Sequence, residues 1–428
     1  MSIRAGFANK KEGEELGVEG ILELPQEILM DILSRLSVKD LTSMSRTCSE
    51  FKNLCNDPSL WTRLSISWKH HSMDNDNTIE KLLKRFPQLK ELSVPLDQEN
   101  FIVFECQSLD KDKKDRFSDK SPHPFPIPLP PPRNNPDFEL INKLQEIYTE
   151  SKVFRQQLKK IVKNSKETLT SLQIEIMCDR DILEDLSKCK KLKKLEIRSL
   201  YEGIINYHVI VGKTFRETLS KLSQLQEMRI ICVNENFGAI ASNLTKLRKV
   251  FLKNCGFLLD GGGSSFFMSS LATMNPELEE LALEDCLEQH GANLLTSELT
   301  IDDDSILKLA NCCPYLRRLN LGTKSSLPNV TDESLIVLAS KCVKLECVIL
   351  PNAMEITDRT LKAFAENCLQ IETFAVPGCR RLTQDGIEDF IMSLRRLKRM
   401  YLSINGLQHS FLDRICNENP SLTLLCQY

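Results

Sequence analysis

Apolar residues recur down the chain in the order L-x-x-L-x-L, with conservative exchanges. The pattern stands in LKELSV from Leu89, LTSLQI from Leu169, LKKLEI from Leu192 and LQEMRI from Leu225. It continues in LRKVFL from Leu247, LEELAL from Leu278, LRRLNL from Leu316 and LECVIL from Leu345. It closes with IETFAV from Ile371, LKRMYL from Leu397 and LTLLCQ from Leu422. From Leu169 the steps are 23, 33, 22, 31, 38, 29, 26, 26 and 25 residues, so the longer ones hold insertions. Alternation at the end of each motif predicts a short strand with one apolar face.

The segments between these strands repeat as well. Ile301–Cys313, Val330–Cys342, Ile356–Cys368, Leu382–Leu394 and Leu407–Asn419 share one frame. Apolar residues fall five and eight places into it, as at Leu335 and Leu338, which is helical spacing. Asp332 and Asp358 stand just before the helices and are the expected N-caps. A strand, a turn and a helix per unit cannot bury their leucines alone. Stacked on neighbours, each buried leucine gains roughly 1.5–3 kcal/mol. The expected fold is α/β: a curved solenoid with parallel strands on its concave face and helices on its convex face.

The N-terminal pattern differs. In LPQEILMDILSRL, Pro25 suits the first turn of a helix, and Ile28, Leu29, Ile32, Leu33 and Leu36 share one broad face. SVKD breaks it. A second helix carries Leu41, Met44 and Cys48, a third carries Phe51 and Leu54, and NDPSLW turns the chain. Three short helices are too few for a comfortable core of their own. Their apolar face needs a partner, either the solenoid or another protein.

The step from Leu89 to Leu169 is 80 residues, far more than one unit. Residues 107–120 are highly charged, and 121–136 hold eight of the eighteen prolines, a composition for extended, disordered chain. Pro128, Pro131 and Arg133 fit the P-x-x-P-x-R form of SH3-domain ligands, beside the plainer reading of a flexible loop. An amphipathic helix is expected after it, through Leu140, Leu144, Ile147, Phe154, Leu158 and Ile161.

Composition narrows the functional classes. The chain has 428 residues and a net charge of −3, no footprint for nucleic acid or a membrane surface. No run of about 18 apolar residues offers a membrane span, and residues 1–20 read as a flexible tail without a signal sequence. The expected location is cytoplasmic or nuclear, with the sixteen cysteines reduced. Cys255, Cys286 and Cys379 lie eight residues after the first apolar strand position. Cys189, Cys313, Cys342 and Cys368 lie three before it. Periodic placement makes them packing residues. The six histidines are scattered, so neither a metal nor another cofactor is expected. DGGGSSFF (260–267) lacks the G-K-[ST] ending of a phosphate loop and reads as an insertion loop. The Asp302–Asp304 run falls at a helix start, where capping and the helix dipole account for it. No catalytic motif is present, and no enzyme is expected.

From about residue 167 onward the repeats resemble the leucine-rich repeat family, in particular its cysteine-containing class. LPQEILMDILSRLSVKDLTSMSRTCSEFKNLCNDPSLW resembles an F-box. The matching positions are Leu24, Pro25, Glu27, Ile28, Leu29, Ile32, Leu36, Leu41, Cys48, Leu54, Leu60 and Trp61, with Phe51 where the family usually has tryptophan. The order of parts is similar to that of the F-box and leucine-rich repeat substrate receptors of SCF-type ubiquitin ligases. That resemblance implies docking of a Skp-type adaptor, and through it a cullin and a RING subunit, by Leu24, Pro25, Ile28, Leu29, Ile32, Leu36, Leu41, Cys48, Phe51, Leu60 and Trp61. It implies an unknown protein substrate on the repeats. A scaffold that binds a partner without ubiquitylation, the F-box serving as a residual cap, is the alternative. The expected division is a tail at 1–20, an F-box at 21–66, a first repeat or linker at 67–95, the insertion at 96–137 and repeats at 138–428.

The x positions of the strands face away from the core. Arg248, Lys249 and Lys253, with Arg317 and Arg318, are the expected basic patch for an acidic or phosphorylated segment, and Phe251 and Tyr401 are its exposed aromatic candidates.

Overall fold

Stacking forces the repeated strands into one sheet. The computed structural model describes residues 21, 24–36, 38–65, 84, 86–94, 152–176, 180–199, 212–231, 233–258, 262–290, 294–296, 299–322, 326–403 and 407–427. The insertion at 96–137, with Pro128, Pro131 and Arg133, lies outside them, as does the tail.

Sixteen strands are described. They are β1 (Arg63–Ser65), β2 (Glu91–Ser93), β3 (Ser171–Ile176), β4 (Lys194–Ser199), β5 (Glu227–Ile231), β6 (Asn234–Glu235), β7 (Lys249–Lys253) and β8 (Gly256–Leu258). Then come β9 (Glu280–Glu284), β10 (Leu287–His290), β11 (Leu294–Thr296), β12 (Arg318–Asn320), β13 (Cys347–Ile349), β14 (Thr373–Ala375), β15 (Arg399–Ser403) and β16 (Thr423–Gln427). Twelve form one sheet in the order β1-β2-β3-β4-β5-β7-β9-β12-β13-β14-β15-β16. Each pairs parallel with the strand of the next unit, as β7 does with β9 and β13 with β14.

The register follows from the apolar positions. Leu64, Leu92, Leu172, Leu195, Met228, Val250, Leu281, Leu319, Val348, Phe374 and Met400 occupy one row across the sheet, and all are buried. A slip of one residue would expose this row and push charged neighbours inward. Helices cover the face that carries this buried row, among them Asp303–Cys312, Asp332–Lys341, Asp358–Asn367 and Gln384–Ser393. The amphipathic segment after the insertion is helical at Lys152–Asn164, with Leu158, Ile161 and Val162 buried. A second sheet has the order β11-β10-β8-β6, and its strands β8 and β10 follow the left-handed residues Asn254 and Asp285. The 38-residue step is explained in part by the β10–β11 hairpin.

Three helices precede the sheet: α1 (Gln26–Ser34), α2 (Val38–Met44) and α3 (Ser49–Cys55). Leu33, Leu41, Cys55, Leu60 and Trp61 join the same core as Leu64 and Phe86, so the small helical unit completes its interior against the solenoid. The Trp61 ring meets Phe86 edge-on with centroids 5.4 Å apart, and its Nε1 donates to the Cys55 carbonyl at 2.7 Å.

The seven periodic cysteines are buried free thiols. Cys342 Sγ donates to the Cys313 carbonyl at 3.4 Å, and Cys255 Sγ to that of Ile230 at 3.5 Å, so these two thiols reach the preceding unit. Burial pushes Cys313, Cys342, Cys368 and Cys379 up to about 12, which keeps them protonated and unreactive.

Two local expectations change. The caps at the repeat helices are Thr331 and Thr357, not Asp332 and Asp358. Those aspartates sit one place later and reach into the next unit. Asp332 accepts from Thr357 N at 2.8 Å, Thr357 Oγ1 at 2.6 Å and Thr360 Oγ1 at 2.6 Å. Asp303 and Asp358 hold Thr331 and Thr383 in the same way. Asp302 does cap its helix, through a capping box with Ser305. The glycine-rich stretch is no loop beyond Gly262: Gly263–Met274 is a helix, and Phe267 is buried within it.

Burial acts to raise the Asp332 carboxyl, and the hydrogen bonds from Thr357 and Thr360 more than offset it, leaving the group below its ordinary value. Asp332→Asn therefore costs about 2 kcal/mol at neutral pH, read from the urea midpoint. Because the folded value is depressed, this contribution is present above the ordinary value of 3.8 and is lost as pH falls through the lowered one. An equal wild-type-to-variant gap at neutral and strongly acidic pH would contradict the ladder.

Candidate docking surfaces

The first surface lies on α1. Pro25, Ile28 and Ile32 recur at helical spacing on its outer side, with Ile28 48% and Ile32 36% exposed. Ile21 is also exposed. The opposite side, Leu29 and Leu33, is buried. The expected adaptor-facing set therefore divides. Leu29, Leu41, Phe51, Leu60 and Trp61 are buried and hold the three helices together. Cys48 is half-buried and caps α3, its Sγ accepting from Phe51 N at 3.4 Å. Leu24 and Leu36 are half-buried at the two ends of the helix. What remains as a free face is Pro25, Ile28 and Ile32. Sequence alone could not separate these sides, because both are apolar.

The second surface is the face of the sheet away from the helices, a hollow of about 1160 Å³ running from Ser171 to Leu425. Parallel stacking arranges its side chains in rows about 4.8 Å apart from strand to strand. The first row reads Arg63, Glu91, Ser171, Lys194, Glu227, Lys249, Glu280, Arg318, Cys347, Thr373, Arg399 and Thr423. Its charges pair in sequence: Arg63 with Glu91 at 3.2 Å, Lys194 with Glu227 at 3.0 Å and Lys249 with Glu280 at 2.9 Å. Along the rim Arg248 pairs with Glu279, Arg317 with Glu346, and Lys398 with Glu372 at 2.9 Å. Lys253 meets Glu284 at 3.6 Å. Arg229 reaches Glu196 at 3.6 Å and lies over the Phe251 ring, 3.7 Å from its centroid.

The structure places most of the expected basic patch beside carboxylates. Arg248, Lys249, Lys253 and Arg317 each face a glutamate one unit away, so their charge is largely spent within the sheet. Phe251 is covered by Arg229. Arg318 remains in the first row, just past its last carboxylate Glu280, and Tyr401 stands in the row two residues further along each strand. The expected patch left out Arg399, an outward-facing position of its strand, which lies in Arg318's row three strands on. Aligning the repeats on their leucines would have placed Lys249 opposite Glu280 and shown the pairing.

The comparisons bear on the first surface most directly. A family model described as F-box-like matches residues 21–67. No curated protein matches the chain. Among solved structures the chain is similar to one described as the crystal structure of the Rad7 and Elc1 complex in yeast. That match has a TM-score of 0.51 at 15% identity, and covers 94% of this chain and 88% of the other. At this identity the likeness is one of fold. The chain is an F-box-like helical domain at the head of an α/β solenoid.

The division of α1 makes a direct prediction. Trp61→Phe removes the bond to Cys55 and lowers stability by about 1–2 kcal/mol in urea unfolding. Ile32→Ser leaves it within about 0.5 kcal/mol of wild type. Equal losses would mean that both side chains are core.

Proposed function

We propose that this protein is a non-catalytic substrate receptor of an SCF-type cullin-RING ubiquitin ligase. The observation that carries the reading is an F-box-like domain whose first helix leaves Pro25, Ile28 and Ile32 uncovered. An exposed apolar ridge at helical spacing is the form a helix takes when it inserts into a partner's groove. The F-box-like domain docks a Skp-type adaptor, which links it to the cullin and the RING subunit. The hollow along the sheet holds the protein to be ubiquitylated. The receptor carries no chemistry of its own; it acts by fixing the substrate near the charged conjugating enzyme. The continuous core supports that role, because a rigid join between docking helices and sheet transmits a defined orientation.

Ile28→Asp/Ile32→Asp weakens retention of a purified Skp-type adaptor at least 100-fold while thermal unfolding stays unchanged, since neither side chain is core. Wild-type retention by the doubly substituted protein would remove the reading.

A further inference from the structure

The two guanidinium groups left over by the charge pairing stand around a small apolar notch. Arg318 and Arg399 are exposed, and among the described residues neither has an ion-pair partner; Arg399 donates only to Thr373 Oγ1, at 3.2 Å. They share a row, separated by Cys347 and Thr373, so their Cα atoms are about 14 Å apart. Arginine side chains are long enough for both to close over the middle of that gap. Their fields do meet there. Burial raises the Cys347 thiol; Arg318 and Arg399 both act against that rise, while Glu280 and, from the rim, Glu346, which pairs with Arg317, act with it. The nearest acid in the row, Glu280, is held by Lys249 at 2.9 Å.

The neighbouring row, two residues further along each strand, is different in kind. It reads Asn320, Ile349, Ala375, Tyr401 and Leu425. Ala375 is sunk, 3% exposed, between the larger Ile349 and Tyr401, and Leu425 is 45% exposed beyond them. The two rows are about 6.8 Å apart, the distance between residues i and i+2 of an extended chain.

We propose that this end of the hollow binds an extended protein segment carrying an oxyanion two residues from an apolar side chain. Arg318 and Arg399 clamp the oxyanion above Cys347, and the apolar side chain fills the notch over Ala375. Charge complementarity selects this occupant: two cations in the open hollow with the row's carboxylates already engaged favour an anion, and the apolar floor favours a short acid-x-apolar motif over a polyanion. The inference rests on the substrate-receptor reading and names its substrate class.

The test pans a display library of random twelve-residue peptides on the full chain, then measures enriched peptides by fluorescence anisotropy. The expected consensus places Asp or Glu two positions from Leu, Ile, Val, Met or Phe. Arg318→Gln/Arg399→Gln lowers affinity at least tenfold and flattens its salt dependence; both positions are exposed, and unchanged unfolding confirms the fold. Ala375→Leu fills the notch and weakens binding by a similar factor. Lys249→Gln/Lys253→Gln stays within twofold. Replacing the acid with phosphoserine shows which source of oxyanion fits better: tighter binding assigns a phosphorylated residue, weaker binding a carboxylate, and either agrees with the clamp. No enriched peptide, a consensus without an acid, or wild-type affinity in the Arg318/Arg399 variant overturns the proposal. Adaptor retention is measured on the same preparations. Retention without peptide selection removes the clamp alone, whereas selection without retention removes the receptor reading and leaves the clamp.

Discussion

In-register stacking of one strand per unit is the constraint from which the rest follows. The apolar row through Leu64, Leu195, Leu281 and Met400 cannot be buried by any unit alone. Once neighbours share that row, every other position is also aligned with its counterpart about 4.8 Å away. Lys249 then has to face Glu280, and Arg317 has to lie beside Glu346. The same alignment lets Asp332 take three hydrogen bonds from the start of the next helix. Exposed pairs add little individually, about 0–1 kcal/mol. Their main effect is on the surface they leave behind, because they decide which charges stay available.

That surface has a direction. From β1 to β9 the first row alternates sign and neutralises itself. From β12 onward it holds two arginines and small uncharged residues, beside a row of Ile349, Ala375, Tyr401 and Leu425. The F-box-like helices attach at the β1 end, where Trp61 seals the junction against Phe86. One end of the molecule thus offers an uncovered helix ridge and the other a charged notch, joined by a continuous core.

Much of this was legible beforehand. The leucine spacing located the strands, and the periodic cysteines proved to be buried packing groups. What escaped depended on contacts between units or on burial of one apolar side over another. Thr331 and Asp332 are both capping residue types side by side, and only the neighbouring helix shows that the threonine caps while the aspartate reaches across. Leu29 and Ile28 are equally apolar in sequence, yet one is core and the other surface. Arg399 stood outside the expected patch because what sets it apart, a place in the first row with no ion pair among the described residues, is a property of the stacked row and not of the residue.

The central claim is that the free face of α1, and not the hollow, is the surface that meets the adaptor. Hydrogen exchange on the full chain, alone and with a purified Skp-type adaptor, tests it most directly. The account predicts new protection confined to α1 and the adjoining F-box-like helices, with exchange across β12–β16 unchanged. Protection on β12–β16, or none on α1, would contradict it.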